Sequence, residues 1–342
     1  FAFPDIYEIG MSYLGLQILY HELNQCENIF CQRVFAPAVD MEKLMREEGV
    51  PLMTLEAKMP LREMDIVGFT LQYEMSFTTV LNMLDLAKIP VFAAERNEND
   101  PLIIAGGPCA FNPEPLTDFI DVFLIGDGEK LLPAFVEKYI DCKKKGMAKA
   151  DCLRELSKLQ GVYVPSLYDV KYNDDGTIKE LCELYEGAPF PVTRAILPSI
   201  EETDFPVNPI IPMVEAVHDR AVTETFRGCT RGCRFCQAGM IYRPVRERSK
   251  DRILQLAKTQ LENTGHDELS LLSLSTSDYS CFEELATELI DYTKKENVSL
   301  SLPSLRIDKF AFDVLNKIQE YKKSGLTYAP EAGTQRLRDV IN

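Results

Sequence analysis

Through roughly the first 145 residues, short apolar runs bounded by turn residues alternate with stretches in which apolar side chains recur at helical spacing. This is the pattern of β-α units laid around a parallel sheet. The runs at 29–35, 65–72, 101–105 and 121–125 predict strands. The stretches at 9–23, 41–48, 75–88 and 130–145 predict helices between them, the last closing on three lysines and Gly146, a helix stop signal. Residues 1–3 then read as the tail of a first strand entered part-way.

The pattern changes at 149–220. A short helix is expected near 151–159, and the alternating segment 163–184 is broken by Asn173-Asp174-Asp175-Gly176, a strong hairpin turn. The stretch 187–212 carries six prolines and four charged residues, the composition of an extended connector. From 214 a second β-α series begins, with strands expected at 214–226, 268–274, 298–302 and 325–328 and helices at 251–263, 281–295, 309–319 and 335–341. A closed parallel barrel needs more strands, and the series stops in mid-pattern at Asn342, so the expectation is a partial barrel that lacks its C-terminal part. The domains expected are therefore 1–146, a doubly wound α/β sheet; 147–212, a helix, hairpin and proline-rich connector; and 213–342, the partial barrel.

Composition narrows the function classes. The 342 residues carry a formal charge of -16, which argues against a surface that embraces nucleic acid as a whole. No uncharged run exceeds the 13 residues from Pro101 to Pro113, short of the roughly 20 of a membrane helix. The start, Phe1-Ala2-Phe3-Pro4, has neither the basic start nor the apolar length expected of a signal peptide. Ten cysteines in such a chain suggest a reducing compartment, so the expected location is the cytoplasm and the expected use of the thiols is burial or metal binding.

Seven cysteines are scattered, but Cys229, Cys233 and Cys236 fall within eight residues on a glycine-containing loop just after an expected strand. That is the carboxyl edge of a parallel sheet, where α/β sites form. A structural zinc site is closed by four protein ligands, and a fourth is hard to find among His21, His218, His266 and the distant Cys281. Three thiolates suit a four-iron cluster with one iron left open. Zinc and unrelated structural cysteines stay as alternatives.

The spacing Cys-x3-Cys-x2-Cys, with the aromatic Phe235 before the last cysteine, at the first β-α turn of a barrel-like series, resembles the radical S-adenosylmethionine (SAM) superfamily. The resemblance implies that Cys229, Cys233 and Cys236 hold a [4Fe-4S] cluster whose open iron is chelated by the amino and carboxylate groups of SAM. One electron from the cluster then cleaves the S–C5′ bond to give a 5′-deoxyadenosyl radical. It further implies that Phe235 lies by the adenine. The family's glycine-rich acidic turn after the second strand is replaced by Ser273-Leu274-Ser275-Thr276-Ser277-Asp278, in which Ser275 can accept from the methionyl ammonium. After the third strand, Ser304 and Arg306 can meet the ribose or the SAM carboxylate. After the fourth, Glu331 places a carboxylate at a strand end. Eight basic residues crowd 224–252 against three acidic ones, a local positive field suited either to an anionic ligand or to ordinary ion pairs. Without interleaved aromatics it does not indicate nucleic acid.

In the N-terminal half the loops at the strand ends contain Asp5, Tyr7 and Gly10, then Thr70, then Gly106 and Gly107, then Gly126. They are either plain turns or a cradle in which backbone approaches a large ligand. The set resembles the cobalamin-binding domain upstream of one radical SAM subfamily, whose pattern is Asp-x-His-x-x-Gly, Ser-x-Leu and Gly-Gly. Tyr7 stands at the histidine position, so cobalamin, if held, would bind base-off without an imidazole ligand. With Phe3-Pro4-Asp5, Gly106-Gly107-Pro108-Cys109 and 243–248, the run looks like an uncharacterised family of radical SAM proteins with a cobalamin-binding domain. The resemblance implies a Rossmann-like domain and a (β/α)6 TIM-like partial barrel. It also implies cobalamin-dependent methyl transfer or rearrangement of an unknown substrate, with flavodoxin or ferredoxin as electron donor. The competing reading is a nucleotide-binding module stabilised by zinc or a structural Fe-S site. Membrane and nucleic-acid partners are not expected.

Overall fold

The computed structural model describes residues 1–212, 214–306 and 329–341. By internal contacts it divides into two compact units, Phe1–Leu197 and Pro198–Asn342. Both are α/β.

The first unit is built on a six-stranded sheet. Its strands are β1 (Ala2–Phe3), β2 (Val34–Phe35), β3 (Ile66–Thr70), β4 (Leu102–Gly106), β5 (Val122–Leu124) and β6 (Val162–Tyr163), in the order β2-β1-β3-β4-β5-β6. The first five run parallel and β6 is antiparallel to β5. Between them come α1 (Tyr7–Gly10), α2 (Leu14–Asn24), α3 (Val39–Glu48), α4 (Phe77–Leu86), α5 (Gly128–Lys144) and α6 (Lys149–Ser157). Parallel strands covered on both faces read as nearly unbroken apolar runs, and β4 is an example: Leu102, Ile103, Ile104 and Ala105 are all buried. They share one core with Val80, Met83 and Leu84 of α4 and Phe135 of α5. The strand order reverses between β1 and β3, and such a switch point opens a crevice at the carboxyl ends of the strands.

Two expected elements come out differently. The run 29–35 pairs only at Val34 and Phe35, because upstream amides are taken by side chains. The Cys31 amide donates to Asn24 Oδ1 at 3.0 Å, and the Arg33 amide donates to Glu56 Oε2 at 2.7 Å. The expected helix 9–23 is split into α1 and α2 by a turn at Met11–Tyr13, where Tyr13 donates its hydroxyl to Gln72 Oε1 beyond β3. The hairpin β7 (Tyr168–Tyr172) and β8 (Ile178–Glu183) forms around Gly176, whose φ is +82°. Of the proline-rich stretch, Ala195 pairs with Gly126 at the end of β5.

In the second unit β9 (Ala221–Glu224), β12 (Glu268–Leu272) and β13 (Ser299–Ser301) form a parallel sheet in the order β13-β12-β9. A two-stranded ribbon, β10 (Phe226–Arg227) with β11 (Arg246–Glu247), follows β9. Among the described residues the helices of this unit are α7 (Ala238–Ile241), α8 (Lys250–Thr264), α9 (Phe282–Glu296) and α10 (Gln335–Ile341). Ser249 caps α8 by accepting the Arg252 amide, and Gly265 ends it at φ +71°. Leu269 and Leu271 of β12 bury against Ile253 and Ala257 of α8 and Leu285 and Leu289 of α9. The strand expected at 325–328 and the helix expected at 309–319 lie outside the described residues. Among the described residues, no helix is long and apolar enough to cross a membrane.

Candidate functional site

All three parallel strands of the second unit end on the same side, so the loops after β9, β12 and β13 become neighbours. Hydrogen bonds join them. The Thr225 amide donates to Leu272 O at 3.0 Å, and the Thr276 amide donates to Ser304 O at 3.2 Å. The Thr276 hydroxyl donates to Pro303 O at 2.6 Å.

The cysteine loop leaves β10 through Gly228, which sits at φ +102° with the carbonyls of Tyr242 and Pro244 where a side chain would begin. Cys229 and Cys233 are half-buried and Cys236 is exposed, all as free thiols. The Cys236 amide donates to Cys233 O at 3.0 Å, a tight turn between the last two. Among the described residues, no three His, Cys, Asp or Glu side chains are gathered closely enough to hold a metal ion. The donor set still suits an iron–sulfur cluster: three thiols lie on one short loop without regular structure, at least partly open to solvent.

Asp278, named in the sequence only as part of the turn after β12, is the junction of the site. Arg231, midway between Cys229 and Cys233, binds its carboxylate with a two-pronged fork, Nε to Oδ2 at 2.8 Å and Nη2 to Oδ1. Buried Ser275 donates its hydroxyl to Oδ2 at 2.8 Å. Arg306 comes from the third strand end, with its Nε 4.0 Å from Oδ2 and its amide donating to Ser277 Oγ at 3.1 Å. Ser275, Ser304 and Arg306 are thus brought together beside the cysteine loop. Phe235 is 62% exposed, and Glu331 is exposed at φ +63° with no hydrogen bond to this cluster. No signal in the sequence singled out Asp278 except its place in that turn.

The basic run is largely spent on the fold. Arg227 forks onto Glu224 at 3.1 Å, and Arg248, fully buried, reaches the same carboxylate at 3.5 Å and donates to Ile200 O and Thr203 Oγ1. Arg246 donates to Pro244 O, Lys250 pairs with Glu288, and Arg243 donates to Cys229 O at 3.4 Å. Tyr279 stacks on Phe226 and donates to Arg248 O at 2.9 Å; burial pushes its phenol well above the ordinary range. The ordinary ion-pair reading of the run fits these contacts.

In the first unit, Asp5, Tyr7, Gly10 and Thr70 lie by the ends of β1 and β3 at the switch point, and Gly106, Gly107 and Gly126 lie at the ends of β4 and β5. Asp5 accepts its neighbour's amide (Ile6, 2.8 Å) and the Tyr73 hydroxyl at 3.1 Å, and that bond pushes the Tyr73 phenol up. Tyr7 packs edge-on against Phe35, with ring centroids 5.3 Å apart. Gln72 donates to Thr70 Oγ1. The glycines meet the chain itself: a Cβ at Gly10 would lie 2.2 Å from the Phe35 ring, at Gly107 2.8 Å from Leu71 O, and at Gly126 2.0 Å from Ala195 O. A Cβ at Gly106 would be only 3.4 Å from Leu124 O.

Comparison with known proteins places this geometry. Residues 223–342, which contain the cysteine loop and all three strand ends, match the model of the radical SAM superfamily. Residues 15–165 match that of the N-terminal region of radical SAM proteins. The chain belongs to the radical SAM superfamily. A relative in sequence, the uncharacterised protein MJ0966 of Methanocaldococcus jannaschii, is 26% identical over 99% of this chain and 61% of its own. Among solved structures, the chain is similar to OxsB, a cobalamin-dependent SAM radical enzyme with aqua-cobalamin and SAM bound. The TM-score is 0.59 at 13% identity, covering 99% of this chain and 45% of that one. It is also similar to TsrM from Kitasatospora setae, a radical SAM methyltransferase with cobalamin and a [4Fe-4S] cluster bound. Here the TM-score is 0.57 at 12% identity, covering 96% of this chain and 59% of that one. The chain spans less than two thirds of the length of these relatives. At such identity the likeness is one of mixed α/β fold.

Proposed function

We propose that the protein is a radical SAM enzyme in which Cys229, Cys233 and Cys236 hold a [4Fe-4S] cluster and the loops after β12 and β13 receive SAM. The observation that carries the reading is the convergence of the cysteine loop with Ser275, Asp278, Ser304 and Arg306 at one sheet edge. When bound, the cluster supplies the electron that breaks the S–C5′ bond of SAM. The chain's own part is to bind and orient. Arg306 offers a planar fork suited to a carboxylate, the Ser304 hydroxyl stands on an exposed strand-end loop suited to a ribose, and the Ser275 hydroxyl offers an acceptor to an ammonium. The first unit would serve as a Rossmann-like cobalamin domain and the second as a partial TIM-like barrel, with methyl transfer or a radical rearrangement as the outcome. The reversal of strand order between β1 and β3, with Asp5 and Tyr73 hydrogen-bonded at the strand ends there, supports that reading. Residue 7, at the histidine position of the pattern, is a tyrosine, so cobalamin would be held base-off without an imidazole from this loop. A flavodoxin or ferredoxin in the cytoplasm would supply electrons.

The test is anaerobic reconstitution with iron and sulfide, reduction, and addition of SAM. Brown absorption, about four irons per chain as a single cluster requires, and 5′-deoxyadenosine are expected. One colourless zinc per chain would replace the reading with a structural metal module. Failure of added cobalamin to co-elute from a desalting column would remove the cobalamin-dependent outcome and leave SAM cleavage standing.

A further inference from the structure

We infer that Asp278 is the positioning residue of the cysteine loop, acting through Arg231. The loop from Gly228 to Gln237 has no regular secondary structure, and fixing such a segment costs conformational entropy at every residue. At its start it is seated by Gly228 under the 242–244 turn and by Arg243 on Cys229 O. In its middle Arg231, two residues from each of Cys229 and Cys233 and followed by Gly232 at φ +69°, reaches out of the loop, and beyond it the Arg234 amide donates to Ile341 O at 3.0 Å. The fork on Asp278 ties that midpoint to the turn 276–278 that follows β12, 47 residues away in sequence. Asp278 is itself mostly buried, its side chain 14% exposed, and is oriented by Ser275 Oγ and by Arg306 from the third strand end. Two parallel donors to one carboxylate fix direction as well as distance, which a single lysine contact would not do. The carboxylate thus anchors the stretch of backbone between Cys229 and Cys233 before any iron arrives.

The inference rests on the radical SAM reading for its consequence in cluster assembly, but thiol reactivity tests it alone. The experiment follows alkylation of each cysteine in the full-length, metal-free protein by peptide mass spectrometry, with half-buried Cys26 of the first unit as internal control. Arg231→Gln and Asp278→Asn are expected to accelerate modification of Cys229 and Cys233 by about tenfold, as loss of a charge-assisted pair holding a local structure implies, with Cys26 unchanged. Arg231→Lys should restore only part of the protection, and Arg231→Asp combined with Asp278→Arg most of it. Unchanged rates in Arg231→Gln, whose side chain is a third exposed and whose loss the fold should tolerate, would overturn the inference. So would equal acceleration of Cys26. Iron uptake is measured in parallel: wild-type protein that takes up no iron refutes the cluster reading, while the alkylation rates still decide the role of Asp278.

Discussion

Gly228→Ala is expected to damage the second unit and its cysteine loop together. The backbone at 228 has φ +102°, a region closed to residues with a Cβ at a cost of about 1–3 kcal/mol. Space is the second obstacle. The added methyl would lie 2.5 Å from Pro244 O and 2.6 Å from Tyr242 O, both backbone atoms of the turn that seats the loop. Either the turn or the loop must recede by about 0.5 Å, and overpacking of this kind costs about 1–3 kcal/mol. The sum, about 2–6 kcal/mol, corresponds to a fall in melting temperature of at least about 4 °C for a unit of this size. Gly265→Ala is the control: its φ is +71°, but nothing lies within 4 Å, so only the left-handed backbone term of about 1 kcal/mol applies. Calorimetry of both variants, with iron per chain after anaerobic reconstitution, separates the terms. Gly228→Ala should melt lower than Gly265→Ala and take up less iron. Equal melting and equal iron would refute the argument that the 242–244 turn seats the cysteine loop.

Three further outcomes follow from the packing. Glu224→Ala removes the carboxylate shared by Arg227 and buried Arg248, and breaking a buried pair from one side should cost about 3–5 kcal/mol in a urea titration. Gly126→Ala would set a methyl 2.0 Å from Ala195 O, so the 195 segment should leave the end of β5 and trypsin should cleave after Arg194 faster than in wild type. Burial pushes the Cys109 thiol from its ordinary 9.0 up to about 11. A raised folded value favours the fold fully below pH 9 and loses that contribution as pH rises through about 11. Urea midpoints should therefore fall across that window, by at most about 3 kcal/mol in free energy, and fall less in Cys109→Ala.

The apolar strands and amphipathic helices of both units were legible because their chemistry repeats locally: β3, β4, β5, α4, α5, α8 and α9 lie close to where periodicity puts them. The departures arise where a distant side chain intervenes. Asn24 and Glu56 take amides that would have extended β2, and Gln72 meets Tyr13 at the break between α1 and α2. The cysteine spacing was legible for the same reason as the strands, being local. Asp278 was not, because its meaning depends on Arg231 and Arg306, which only the parallel order of β9, β12 and β13 brings near it.

The strand-end glycines of the first unit show why a motif and its geometry carry different weight. A glycine that leaves room for a ligand and one that leaves room for the chain look identical in sequence. Gly10, Gly107 and Gly126 are of the second kind: Phe35, Leu71 and Ala195 occupy the space a Cβ would need. What points to a large ligand in this unit is therefore the strand order, which reverses beside Asp5 and Thr70. Substitutions there, and not at the glycines, are the informative ones. Asp5→Asn keeps the size of the side chain and removes its charge, so a loss of cobalamin co-elution in that variant at unchanged melting temperature would tie the crevice to the ligand. Retention in Asp5→Asn and in Thr70→Val alike would detach it.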